Sequence, residues 1–278
     1  MKSLKAFLRP VIVFLLITLI TAGIGRVEFP WQGWQLASCY PGCFCEAFQP
    51  GGIVQPLSSY SNLFYILAGL LILSTLNHPD RNEKDNLISR SRCYAAGYGV
   101  AVIAIGITSL FFHVSLTQFG RWLDYMGMYA FTGFALLYSL TRLFGWKGRT
   151  FAVLFLVLLV TFGLLWIGVP EIRRPLLGGL IVALILAEIL AHGVRRPLHI
   201  KTGIFLASLV CFIIAYAINM SDESGALCVP ASLWQWHAVW HLLTAVSTGL
   251  LYVYYRSEEE TSYIEMRRHQ LWIRIKPK

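Results

Sequence analysis

The sequence predicts an all-α fold, a polytopic membrane helix bundle of eight spans, on three observations. Hydrophobic residues make up 56% of the 278 positions and charged residues 13%, about half the charged share usual in a soluble globular domain. Mean hydropathy is +0.61. Apolar runs that approach the length needed to cross a hydrocarbon core of about 30 Å, at about 1.5 Å per helical residue, recur along the chain. So little charge excludes a disordered chain. The formal net charge of +9 does not mark a nucleic-acid-binding surface either, because the 23 Lys and Arg fall almost wholly in short polar breaks between the runs.

The runs lie near 10–25, 59–76, 93–114, 122–143, 150–169, 176–193, 202–219 and 233–255. Lys2, Lys5 and Arg9 ahead of the apolar stretch 11–21 resemble the start of a signal peptide. No clean small-x-small cleavage site follows, so an uncleaved anchor is favoured over a cleaved signal. Later runs are punctuated by helix-breaking or charged clusters such as Asn77-His78-Pro79-Asp80, Gly145-Trp146-Lys147-Gly148-Arg149 and Val194-Arg195-Arg196-Pro197. None of these breaks is long enough to hold a second domain. The basic tail, with Glu258-Glu259-Glu260 followed by Arg267, Arg268, Arg274, Lys276 and Lys278, reads as a solvated segment without chemistry.

Threading the spans alternately leaves nineteen Lys and Arg on the side of the N-terminus and only Arg26, Arg121, Arg173 and Arg174 on the other. The positive-inside bias then predicts cytoplasmic N- and C-termini. Cys39, Cys43, Cys45 and Cys228 fall outside, Cys93 at an inner helix end and Cys211 in mid-helix. Four thiols in an oxidising exterior permit two disulfides in any of three pairings. A metal site is the rival reading of the Cys39 to Cys45 cluster, but the spacing matches no zinc ribbon.

Ionisable side chains are costly in hydrocarbon and are therefore informative there. The spans hold His113, Asp124, Glu188, His192, His237 and His241, with Ser109 as a notable hydroxyl. Ser109 and His113 stand at i and i+4 and share a helix face, as do His237 and His241. A short turn at Gly120 reverses the chain, so Asp124 returns to the depth of His113, and the last span brings its two histidines to the same outer level. Three imidazoles from two helices make the ligand count of a catalytic zinc site whose fourth position is left to water. Asp124 is then placed to act as a general base and Ser109 to stabilise an oxyanion. Glu188 and His192, also i and i+4, lie toward the inner end and read as an internal pair.

These residues resemble the alkaline ceramidases, within a superfamily of seven-helix membrane hydrolases that also includes adiponectin-receptor-like proteins. Ser109-x3-His113-x10-Asp124 and His237-x3-His241 reproduce the family's spaced set, and Cys45-Glu46 followed by Ser61-Asn62-Leu63 resembles its N-terminal signature. The resemblance covers about 46–255 and divides the chain into an anchor-like span and exterior loop (1–45), a seven-helix ceramidase-like core, and a basic tail (256–278). It implies Zn2+ on His113, His237 and His241, Asp124 as base, Ser109 as oxyanion stabiliser, a Cys45 to Cys228 bridge, and hydrolysis of the amide of a ceramide-like lipid taken from the bilayer.

The family's calcium site is where this sequence departs from the pattern. Glu46 is present, but Cys43, Phe44, Phe48 and Gln55 stand where acids or an Asn are expected. A hard divalent cation needs several oxygen ligands with charge among them, so Ca2+ is not expected, and Glu46 and Gln55 read as braces of a helix end or remnants of a second metal site. A ligand-responsive receptor or a metal transporter using the same histidines is the competing function. Ion transport calls for polar groups along a path through the bilayer, whereas this cluster occupies one level.

Overall fold

The computed structural model describes residues 2–24, 33–40, 42–49, 52–77, 86–194 and 200–258. Its helices are α1 (Lys2–Ile24), α2 (Pro56–Ser61), α3 (Leu63–Ser74), α4 (Leu87–Arg90), α5 (Arg92–Ser115), α6 (Gln118–Phe144), α7 (Gly148–Gly168), α8 (Arg173–Val194), α9 (Thr202–Glu223) and α10 (Trp236–Arg256). Among the described residues the only β pairing is an isolated bridge between Leu36 and Thr117. The all-α membrane bundle read from the sequence is the fold observed. Among the described residues, five helical segments are long and apolar enough to cross a bilayer: Pro56–Ser74, Arg92–Ser115, Gly148–Gly168, Pro170–Gly193 and Thr202–Glu223. Helices α6 and α10 match them in length, at 27 and 21 residues, but carry the inward polar side chains of the site. The breaks around His78 to Lys84 and Arg195 to Leu198, and the tail beyond Glu258, lie outside the described residues.

Packing follows from where small and large side chains meet. Helix α5 is central, lying against α3 on one side and α6 on the other; α6 continues to α7 and α8, and α10 packs on α9 and α3. The approach of α6 to α5 depends on Gly127, where a Cβ would collide with the Thr108 hydroxyl and stand 3.2 Å from the Cα of Ile105. That contact lies one turn from Asp124 and holds its helix against the one carrying Ser109. The turn between α5 and α6 puts Leu116 at φ 44°, the one positive φ at a non-glycine among the described residues. A bulky residue adopts that conformation only when its surroundings enforce it. Here the side chain is fully buried, its carbonyl accepts from Ala37 N at 2.9 Å, and Thr117 caps α6 by accepting from Gly120 N at 3.0 Å.

The interior is largely aromatic. Tyr98 sits edge-on to Phe131, Phe134 and Tyr255, and its hydroxyl donates to the Thr248 carbonyl at 2.7 Å. Toward the end of the bundle opposite the histidines, the side chains of Arg142, Glu188 and Glu258 are all buried. Arg142 donates to Glu188 at 2.9 Å and to Glu258 at 2.7 Å, with Ser139 and Tyr254 also bonding the Glu188 carboxylate. Two sequence readings change as a result. Glu188 has Arg142 as its charge partner and meets His192 only through the Tyr254 hydroxyl. Glu258 belongs to the core and not to a solvated tail, because a buried guanidinium with five donors recruits more than one carboxylate.

Candidate metal centre

Helical periodicity brings the predicted residues together in pairs, and the α5, α6 and α10 packing joins the pairs. His113 from α5 and His237 and His241 from α10 are buried, with one ring nitrogen of each within 4.8 Å of those of the other two. Asp124 is not a member of that group. It lies on α6, where the Ser109 hydroxyl is the hydrogen-bonding neighbour of its carboxylate and the Arg121 guanidinium, about one turn earlier, adds positive charge beside it. Ser109 is itself buried, one turn along α5 from His113.

Each imidazole has a partner on Nδ1: His113 faces Gln55 Oε1 at 2.9 Å, His237 faces Asn219 Oδ1 at 2.9 Å, and His241 faces Ser61 Oγ at 2.8 Å. The directions of these bonds follow from the partners' other contacts. The Gln55 amide nitrogen donates to the Glu46 carbonyl at 3.4 Å and that of Asn219 to the Glu223 carboxylate at 3.1 Å, so in both residues the oxygen faces the histidine and accepts. Ser61 donates its proton to the Ser58 carbonyl at 2.8 Å, so its oxygen accepts as well. Each ring therefore donates from Nδ1, which leaves Nε2 as the nitrogen available to a metal. Three buried imidazoles brought this close to one another are an arrangement suited to a cation.

The donor set fits a borderline metal of the zinc type, which takes imidazole nitrogen and is commonly held by three protein ligands in catalytic sites. Ser61 is part of the sequence signature, and the sequence reads Gln55 as a brace of a helix end or part of a possible second metal site. Asn219 was missed, since a lone Asn in an apolar helix gives no motif. Also missed was Phe44, which stacks on His237 with ring centroids 3.8 Å apart and lies 4.9 Å from His113. Its loop is held by two disulfides, Cys39 to Cys43 and Cys45 to Cys228. Asp222 anchors that loop to α9, accepting from Cys45 N at 3.2 Å. Glu46 uses both carboxylate oxygens to cap α2, accepting from Leu57 N at 2.7 Å and Ser58 N at 2.8 Å.

Residues 53–274 match the family model described as Ceramidase. The chain belongs to the ceramidase family. The match takes in Ser109, His113, Asp124, His237 and His241 and leaves α1 outside it. No curated protein matches the chain. Membership in the family implies hydrolysis of an amide bond in a lipid substrate, and the buried histidine cluster is the place in the described residues that could hold a metal ion.

Proposed function

We propose that the chain is a zinc-dependent intramembrane amidase that hydrolyses a ceramide-like lipid to a free fatty acid and a long-chain amine. The observation that carries the reading is the convergence of three buried histidines, each with its Nδ1 against a buried side-chain oxygen, which leaves Nε2 for a metal. His113, His237 and His241 would hold the zinc. When bound there, the ion supplies Lewis-acid polarisation of the scissile carbonyl and acidifies water.

The chain's own groups account for the proton movements. Asp124 stands outside the histidine set and is free to take a proton from the attacking water. The C–O bond forms first as the carbonyl π bond opens to a tetrahedral intermediate; when that intermediate collapses the C–N bond breaks, and Asp124 returns the proton to the departing amine nitrogen. Ser109, which rests on Asp124 before reaction, donates to the oxygen of the tetrahedral intermediate once the carboxylate is protonated. Phe44, clamped between two disulfide-bonded cysteines, covers the imidazoles with an apolar ring and keeps bulk water from competing with the lipid.

The test is metal analysis of detergent-purified protein combined with fatty acid release from an N-acyl sphingoid lipid. About one zinc per chain is expected, with release lost after chelation and restored by zinc. His237→Ala and His241→Ala should lose both metal and release. Release that persists without metal would overturn the zinc mechanism, and zinc without release from any acyl-amide lipid would overturn the amidase.

A further inference from the structure

A cavity that runs from near the histidine end toward the opposite end of the bundle lies on the outer surface between α3 and α10 and has a volume of about 650 Å³, well within the range of ligand pockets. Its lining changes character along its length. From the histidine end it is walled by Phe64, Leu67, Leu71, Leu242, Val246 and Gly249, all without polar side chains. At the far end the lining becomes Thr75, Ser89, Lys201, Arg256 and Ser257. Lys201 is exposed and Arg256 half-buried, and among the described residues neither cation has a carboxylate partner, the ion pairs there being Arg142 with Glu188 and Glu258, and Arg174 with Glu223.

We infer that this groove binds an anionic phospholipid, with its phosphate on Lys201 and Arg256 and one acyl chain lying along α10 toward Leu242. The polarity gradient matches such a lipid end for end. Helix α10 rises about 21 Å from Leu242 to Arg256 at 1.5 Å per residue, more than the roughly 15 Å depth of one leaflet's hydrocarbon, so the groove accommodates a full chain. Thr75, Ser89 and Ser257 add hydrogen-bonding groups at headgroup level. A neutral acyl-amide does not account for two cations that, among the described residues, have no carboxylate partner at the end away from the histidines, which separates this site from the amidase centre.

Gly249 provides a clean way to close the groove, because a Cβ there would meet nothing within 4 Å. The experiment is native mass spectrometry of the detergent-purified full chain with phosphatidylglycerol or chain-matched phosphatidylcholine. The wild type should retain phosphatidylglycerol in preference. The Lys201→Gln/Arg256→Gln double variant should lose that preference by roughly 30-fold, as expected for two basic residues acting on an anionic headgroup. Gly249→Leu should weaken both lipids. Equal retention of the two lipids by the wild type, or an unchanged preference in the double variant, would overturn the assignment. If Gly249→Leu does not elute as a folded protein, the double variant, altered only at the groove mouth, decides the matter alone.

Discussion

Gln55 accepts the Nδ1 proton of His113 at 2.9 Å while its own backbone N–H donates to the His113 carbonyl at 3.1 Å. One residue thus holds both the main chain and the ring of a metal-ligand candidate. A second bond from its amide nitrogen to Glu46 fixes which way the amide faces. The segment before α2, which carries no metal-ligating side chain itself, sets the tautomer of an imidazole on α5.

Replacing that acceptor should loosen the metal without removing a ligand. Gln55→Leu is expected to weaken zinc binding about 10- to 100-fold, the usual cost of losing an outer hydrogen bond to a ligating histidine. Gln55→Glu, which still accepts, should retain most of the affinity. Chelator competition measures both, and an affinity untouched by Gln55→Leu would remove Gln55 from the metal's support.

Asp124 and Ser109 should separate chemistry from metal binding. Asp124→Asn is expected to keep the zinc and lose about 10² to 10⁴-fold in rate, the contribution of a general base. Ser109→Ala should also keep the metal and lose on the order of 10² to 10³-fold, as for one oxyanion donor. If Asp124→Asn stripped the zinc as thoroughly as a histidine variant, Asp124 would be a ligand and the open coordination position would disappear.

The buried charges at the opposite end make a stability prediction. Arg142→Met leaves the buried Glu188 without its cation, and breaking a buried pair in this way typically costs about 3–5 kcal/mol. Thermal unfolding in detergent should show the loss, while zinc bound to the folded fraction stays at the wild-type ratio. A melting temperature like the wild type's would mean that the carboxylates are not charged against Arg142.

Cys45→Ser/Cys228→Ser opens a link between residues 183 apart in sequence, for which about 2–4 kcal/mol of stability is typical. Because Phe44 is next to Cys45, the variant should also let chelators reach the metal faster. Unchanged chelator kinetics would mean that Phe44 keeps its cover without the bridge.

The charge bias along the chain predicts sidedness. A reporter fused after Lys147 should be cytoplasmic, and one beside Arg173 should face the exterior, together with the histidine end of the bundle. The reverse pattern would invert the bundle and place the disulfides on the reducing side.

The sequence by itself determined the helices and the pairs within them. Hydropathy marks each apolar run because hydrocarbon excludes unpaired polar groups, and a repeat of 3.6 residues puts Ser109 with His113, and His237 with His241, on single faces. Chemistry carried by one helix was therefore legible, as was the family that shares the spacing. Only the tertiary structure decided what holds those faces in place. The acceptors on the three imidazoles lie 58, 18 and 180 residues away along the chain, and Arg142 reaches Glu258 across 116 residues. Such partners are chosen by helix packing: the close approach at Gly127, the buried turn at Leu116 and the disulfide-bound loop that puts Phe44 on His237. A local pattern contains no record of which distant Gln, Asn or Ser arrives at a ring nitrogen, because that depends on where whole helices come to rest against one another.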